Sequence, residues 1–233
     1  MFTEKTTGFL RALKRHNTRE WFQAHRADYE AHVRGPMTAL VERMGPELAR
    51  FAPELVASPR LSLYRVHRDT RFSPDKTPFK THAAAIFPCR GLPKHSGAGL
   101  YVEVAPERVL IAGGTYAPEP PDLQAIREHI ARDFRRFRTI VESPVFRRAF
   151  GALEGDRLQR TPRGFPADHP AAEYLKLKQF LAWREYPAAF AANPRFFREL
   201  VGRFRQMAPL VRFLNEPLLS RTAPLDFGSG QAR

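Results

Sequence analysis

The sequence predicts an α+β fold: a single domain in which a central antiparallel β-meander is flanked by N- and C-terminal amphipathic helices. Three observations predict it. Apolar residues recur at helical spacing between Phe9 and Leu48. Residues 99–105 (GLYVEVA) alternate strictly and are followed by a return over Val109 to Ala112, the pattern of a β-hairpin. Helical spacing then resumes from Leu123 to Phe134 and from Phe197 to Phe204. Helices, then strands, then helices is the order of an α+β domain rather than of alternating parallel βα units. A chain of 233 residues that is 43% hydrophobic is long enough to bury a real core.

The elements follow in order. Phe9, Leu10 and Leu13 share one face of a short helix. Asn17 precedes Glu20 by three residues, which predicts a capping box with Asn17 as the cap. Trp21, Phe22, His25, Tyr29 and Val33 continue at helical spacing. Gly35-Pro36 is expected to break that helix and open the next, whose stripe is Met37, Leu40, Val41, Met44 and Leu48. Residues 60–67 (RLSLYRVH) and 82–87 (HAAAIF) are expected as strands ahead of the 100–112 hairpin. Gly113-Gly114 then fits a bulge or tight turn. Asp122 is expected to cap the helix carrying Leu123, Ile126, Ile130 and Phe134. Ser143-Pro144 starts another helix, and Gly151 stops it. Residues 175–183 (LKLKQFLAW) read as a last strand, and Asn193-Pro194 opens the last helix. The core is expected over residues 7–216, with a disordered tail at 222–233.

Composition narrows the function classes. The start, MFTEKTTGFL, lacks a basic segment followed by an apolar run, so no secretory leader is expected. No apolar run approaches the roughly 18 residues of a membrane span. Cys89 is the only cysteine, which excludes a disulfide framework and fits a cytoplasmic location. The thiol sits beside Arg90 but has no recognisable base, and no Ser or Cys nucleophile signature accompanies it. The eight histidines form neither HxxxH nor HExxH, so no metal is predicted, and no cofactor motif is present.

A net charge of +14 points toward anionic partners, nucleic acid among them. The charge is spread evenly along the chain and is dominated by arginine, where a nucleic-acid arm would concentrate it. Arginine and phenylalanine interleave at Arg135 to Arg138, Phe146 to Arg148, Arg195 to Arg198 and Arg203 to Arg205. Base-stacking proteins mix these types, but on amphipathic helices the rings face the core and the arginine stems cover its edge.

Two irregular, charge-rich stretches are the candidate sites. Residues 68–82 (RDTRFSPDKTPFKTH) hold six full charges, and Pro74 and Pro78 exclude regular structure. Two readings are open. In one, Arg68, Asp69, Arg71 and Asp75 form an ion-pair clamp pinned by Phe72 and Phe79. In the other, Arg68, Arg71, Lys76 and Lys80 bind a small anionic or phosphorylated ligand and Asp69 and Asp75 orient them. The surplus of cations leans toward the second reading, because unpaired buried charge is costly. Residues 162–170 (PRGFPADHP) offer Arg163, Asp168 and His169 as a second wall, if the fold brings the two loops together.

In combination the segments look familiar. FLRALKRHNTREWFQAHRADYE, RDTRFSPDKTPFKTH, GLYVEV with GGTYAPEPPDLQAIREHI, GDRLQRTPRGFPADHPAAEYLKLKQF and PLVRFLN together resemble a mostly bacterial family, the domains of unknown function numbered 2461. The resemblance covers roughly residues 7–216. A further Lys or Arg is expected near Gln159. The resemblance implies a single α+β domain, and no catalytic or binding residue is carried over from it. The functional expectation is therefore a cytoplasmic anion-binding protein, with a nucleic-acid-binding protein and a protein-interaction module as alternatives.

Overall fold

Thr3 opens the first helix, its backbone N–H donating to Thr6 Oγ1 at 3.2 Å. The computed structural model describes residues 1–222, so the tail predicted beyond Thr222 lies outside the described residues. Helix α1 (Glu4–Arg15) buries Phe9, Leu10 and Leu13, the predicted face. Asn17 is not the next cap. Thr18 Oγ1 accepts from Trp21 N at 3.2 Å and caps α2 (Arg19–Ala24). The Asn17 amide instead spans 62 residues: it donates to Phe79 O at 2.9 Å and accepts from Phe79 N at 3.0 Å. A side chain able to mimic a peptide group is worth more there than at a helix end already held by Thr18.

Gly35-Pro36 does not break the helix either. From α3 (Arg26–Tyr29) the chain runs through a π turn (Glu30–Arg34) into α4 (Gly35–Phe51). Pro36 has no N–H for the carbonyl of His32. The wider turn absorbs the mismatch, Gly35 N donating to Glu30 O, and the freed His32 carbonyl accepts the Thr6 hydroxyl at 2.7 Å. Residues 60–67 are not a strand. Pro59 starts a helical turn, α5 (Pro59–Ser62), and the chain then makes isolated bridges, Leu63 with Ala85 at the sheet edge and His67 with Phe79 outside the sheet.

The sheet is antiparallel in the order β1 (Ala83–Phe87), β2 (Gly99–Val104), β3 (Arg108–Thr115), β4 (Phe180–Pro187). The predicted hairpin is β2–β3. The expected last strand begins only at Phe180, because Leu175 ends α9 (Ala172–Leu175) and Leu177 makes an isolated bridge with Arg157. Between β3 and β4 lie α6 (Pro120–Arg132), α7 (Phe134–Val141) and α8 (Pro144–Phe150). Glu119, not Asp122, caps α6, and Pro120-Pro121 occupy its first turn. Asp122 pairs with Arg221 instead, at 3.2 Å. Ser143 caps α8 by accepting from Phe146 N at 3.1 Å, and Gly151 ends it with φ 77°.

The two glycines expected as a bulge lie in the regular β3 ladder. Gly113 faces α10 (Phe196–Thr222), and a Cβ there would stand 2.8 Å from Met207 Sδ. Gly114 has φ 127°, and a Cβ there would collide with the Phe180 carbonyl. One glycine lets helix and sheet approach and the other lets β4 pair. On the helical face Leu100, Val102, Val104, Val109 and Ile111 are fully buried against Leu200, Phe204, Met207 and Val211. Each contributes about 1.5–3 kcal/mol of burial. Phe137, Phe146, Phe196, Phe197 and Phe204, from the Arg–Phe segments, are core residues.

Candidate functional site

Residues 68–82 satisfy most of their own charges. Arg68 pairs with Asp75 and with the Thr77 hydroxyl, and reaches Ser73 Oγ at 3.4 Å. Arg71 forks onto Asp69 at 3.0 and 2.7 Å. Each carboxylate also accepts a backbone N–H two residues on, Asp69 from Arg71 at 3.2 Å and Asp75 from Thr77 at 2.9 Å. These bonds hold both carboxyls down at about 2. Lys76 donates to Thr70 O at 2.9 Å. Phe79 is buried against Phe22, ring centroids 4.2 Å apart, but Phe72 is 92% exposed and pins nothing.

Arg163, Asp168 and His169 lie elsewhere. His169 Nδ1 accepts from Ala171 N at 3.0 Å and its ring meets Phe134 of α7 at 6.5 Å. Arg163 and Asp168 are exposed. Among the described residues, no hydrogen bond, ion pair or ring contact joins this segment to residues 68–82. None of the three lines the two cavities that adjoin residues 68–82.

Of the predicted residues, Lys80 alone lines a cleft of about 900 Å³ over the sheet face opposite α10. Register builds this face. One row is Ile86, Tyr101, Ala112 and Trp183, and the next is Ala84, Glu103, Leu110 and Glu185. Beside them Gly99 pairs with Gly114 and Gly114 with Leu181, so Leu181 is the one side chain that this three-residue row adds to the floor. Tyr64, His82 and His95 form the wall from outside the regular strands. The volume suits a small organic molecule.

The cleft holds one buried carboxylate, Glu103, only 8% exposed. This carboxylate accepts from Tyr101 Oη at 2.8 Å, meets Arg108 Nη2 at 3.5 Å and lies 3.9 Å from His82 Nε2. Arg108 also reaches Glu185 at 3.1 Å. Burial, reinforced by the Glu103 charge, pushes the Tyr101 phenol well above its ordinary value. Burial holds His82 below its ordinary value against the opposing pull of Glu103. A neutral imidazole beside a buried carboxylate and a phenol can accept or relay a proton.

Beside them Lys80 and Lys94 lie over the ring of Tyr64, 5.1 and 4.5 Å from its centroid, and Tyr64 in turn meets the Tyr101 ring at 6.1 Å. Lys94 donates to Leu63 O at 3.2 Å. The Lys80 side chain makes no hydrogen bond or ion pair among the described residues, while its backbone N–H donates to Val66 O at 2.8 Å. Burial lowers its pKa, and the nearby Arg65 lowers it further. Cys89 is buried away from the cleft, and burial pushes its thiol up, the reverse of an activated nucleophile.

The family described as conserved hypothetical protein (DUF2461) matches residues 5–213, from α1 into α10. The chain belongs to the DUF2461 family. The match includes all four strands and every residue of the cleft named above. No curated protein and no solved structure matches the chain. Membership in DUF2461 assigns the fold and no activity. Sequence reasoning reached Lys80 but missed Tyr64, His82, His95, Tyr101, Glu103 and Arg108. A signal was present for two of them: Tyr101 and Glu103 share the parity opposite to Leu100, Val102 and Val104, so a carboxylate and a phenol lie on one sheet face.

Proposed function

We propose that the cleft binds a small organic anion, a carboxylate or phosphate carried on a flat, largely apolar body. One observation carries this reading. Lys80 stands half-buried in the cleft with no acidic partner, while the neighbouring cations of its loop are paired or hydrogen-bonded. A desolvated ammonium without a counter-charge is a site to which an anion brings the missing charge. Ile86, Leu110 and Leu181, with Trp183 at the rim, offer the apolar surface such a body needs.

In this reading Lys80 holds the anion. Arg68, Asp69, Arg71, Asp75 and Lys76 hold the loop that delivers it. Glu103, Tyr101 and His82 contact the body of the ligand. The test is calorimetry with aryl carboxylates and aryl phosphates against the wild-type chain and Lys80→Ala. Binding that weakens by about tenfold in the variant supports the site. Equal binding to both chains, or none of these anions bound, overturns it.

A further inference from the structure

A second cavity, about 560 Å³, runs between α2, the π turn and residues 59–67, and meets the cleft at Tyr64 and His82, which line both. Its charge is one-sided. Arg19, Arg26, Arg34, Arg60 and Arg65 line it, and Glu30 is the one carboxylate in the lining. Glu30 is already taken by Arg34, with both of its oxygens 3.2 Å from Nη1. Arg65 acts through space on Asp69, outside the groove. The side chains of Arg19, Arg26 and Arg60 have no hydrogen-bond or ion-pair partner among the described residues.

We propose that this groove is a second anion site, and that it takes the linear oligophosphate group of a small molecule. Guanidinium forks recognise phosphate oxygens two at a time. A single phosphate is satisfied by one or two such forks. Here three unpartnered forks come from two facing segments, Arg19 and Arg26 from α2 and α3, and Arg60 from α5 across the groove. All three are exposed and line one groove whose single carboxylate is already taken, and a chain of two or three phosphates can meet them together. A nucleic-acid strand is the poorer fit, because the groove is a short pocket rather than a track along a basic face.

The site stands on its own residues and does not depend on the cleft binding its anion. The test is calorimetry of the full chain with tripolyphosphate, orthophosphate and a single-stranded oligonucleotide. Tripolyphosphate should bind more tightly than orthophosphate and weaken by about tenfold in the Arg26→Ala/Arg60→Ala double variant. Lys80→Ala should leave tripolyphosphate binding within about twofold, because Lys80 lies in the cleft and not in this groove. Unchanged melting of the double variant separates lost binding from lost folding; since neither arginine makes a bond, a variant that melts early would itself contradict the argument. No binding of tripolyphosphate, equal binding by the double variant, orthophosphate binding as tightly, or an oligonucleotide binding more tightly through the same arginines would each overturn the proposal.

Discussion

The 68–82 loop and the sheet-face cleft are both dense in charge, and they use it in opposite ways. In the loop, exposed cations meet carboxylates nearby in the chain, and Arg71, its side chain 77% exposed, forks onto Asp69 two residues away. Such pairs fix local geometry and contribute little to stability. In the cleft, charges from separate elements converge on one buried carboxylate, Glu103, and Lys80 is left half-buried without an acidic partner. Glu103 comes from β2, Arg108 from β3, His82 from just before β1, and Lys80 from the end of the loop. The lesson is that a count of charges does not mark a site. A shared cavity with incomplete pairing does.

The largest effect that separates the two regions is expected from Gly114→Ala. The left-handed φ of 127° and the Phe180 carbonyl leave no room for a Cβ, so β3 and β4 must part along the cleft floor. Chemical denaturation should show a loss of about 3 kcal/mol, whereas Asp69→Ala in the loop should leave the denaturation midpoint nearly unchanged. Next comes Glu103→Ala. It strands the Tyr101 hydroxyl and one side of Arg108, and should cost about 2 kcal/mol. If removing Glu103 proves as harmless as removing Asp69, the cleft is as well hydrated as the loop and the contrast fails.

The sequence made the fold legible wherever periodicity carried the signal. The β2–β3 hairpin follows from the alternation of Leu100, Val102 and Val104, and α8 follows from Ser143 and Gly151. It misled where a long-range partner outbid a local preference. Asn17 leaves the helix end for Phe79, and Pro36 sits inside a continuing helix because Thr6 takes the carbonyl it frees. Of the site, Lys80 was legible from its charge and Tyr101 and Glu103 from strand parity alone. Its other residues converge through strand register and through a tyrosine from an irregular segment. Spacing along one chain does not encode which strands neighbour one another.

A smaller and local effect tests the loop. Hydrogen bonds from the Arg71 side chain and backbone lower the Asp69 carboxyl, and the Thr77 N–H followed by Arg68 lowers that of Asp75, each to about 2. Both values lie below the unfolded carboxylate value of about 3.9. The unfolded chain therefore takes up protons first, and the ordering these groups provide is present above about pH 4 and lost as pH falls through about 2. The amide resonances of Arg71 and Thr77 should move with midpoints near 2. Midpoints at the ordinary value would mean that the pairs do not persist in solution.

The finest test is the titration of His82. Burial is the leading cause of its lowered pKa, with Lys80 and Arg108 adding to the shift and Glu103 opposing it. Its NMR midpoint should fall below the ordinary 6.5, and Glu103→Gln should move it further down, since that change removes the one charge that favours the imidazolium. The sign carries into stability. With the folded value depressed, the unfolded chain binds the proton first, so the contribution is complete above about 6.5 and is lost as pH falls toward the folded value. An anion held by Lys80 should shift the midpoint the other way, because it offsets a positive charge facing the ring. A His82 that titrates at 6.5, and is indifferent both to Glu103→Gln and to bound anion, would place it in bulk water, and the cleft would then resemble the loop it is set against.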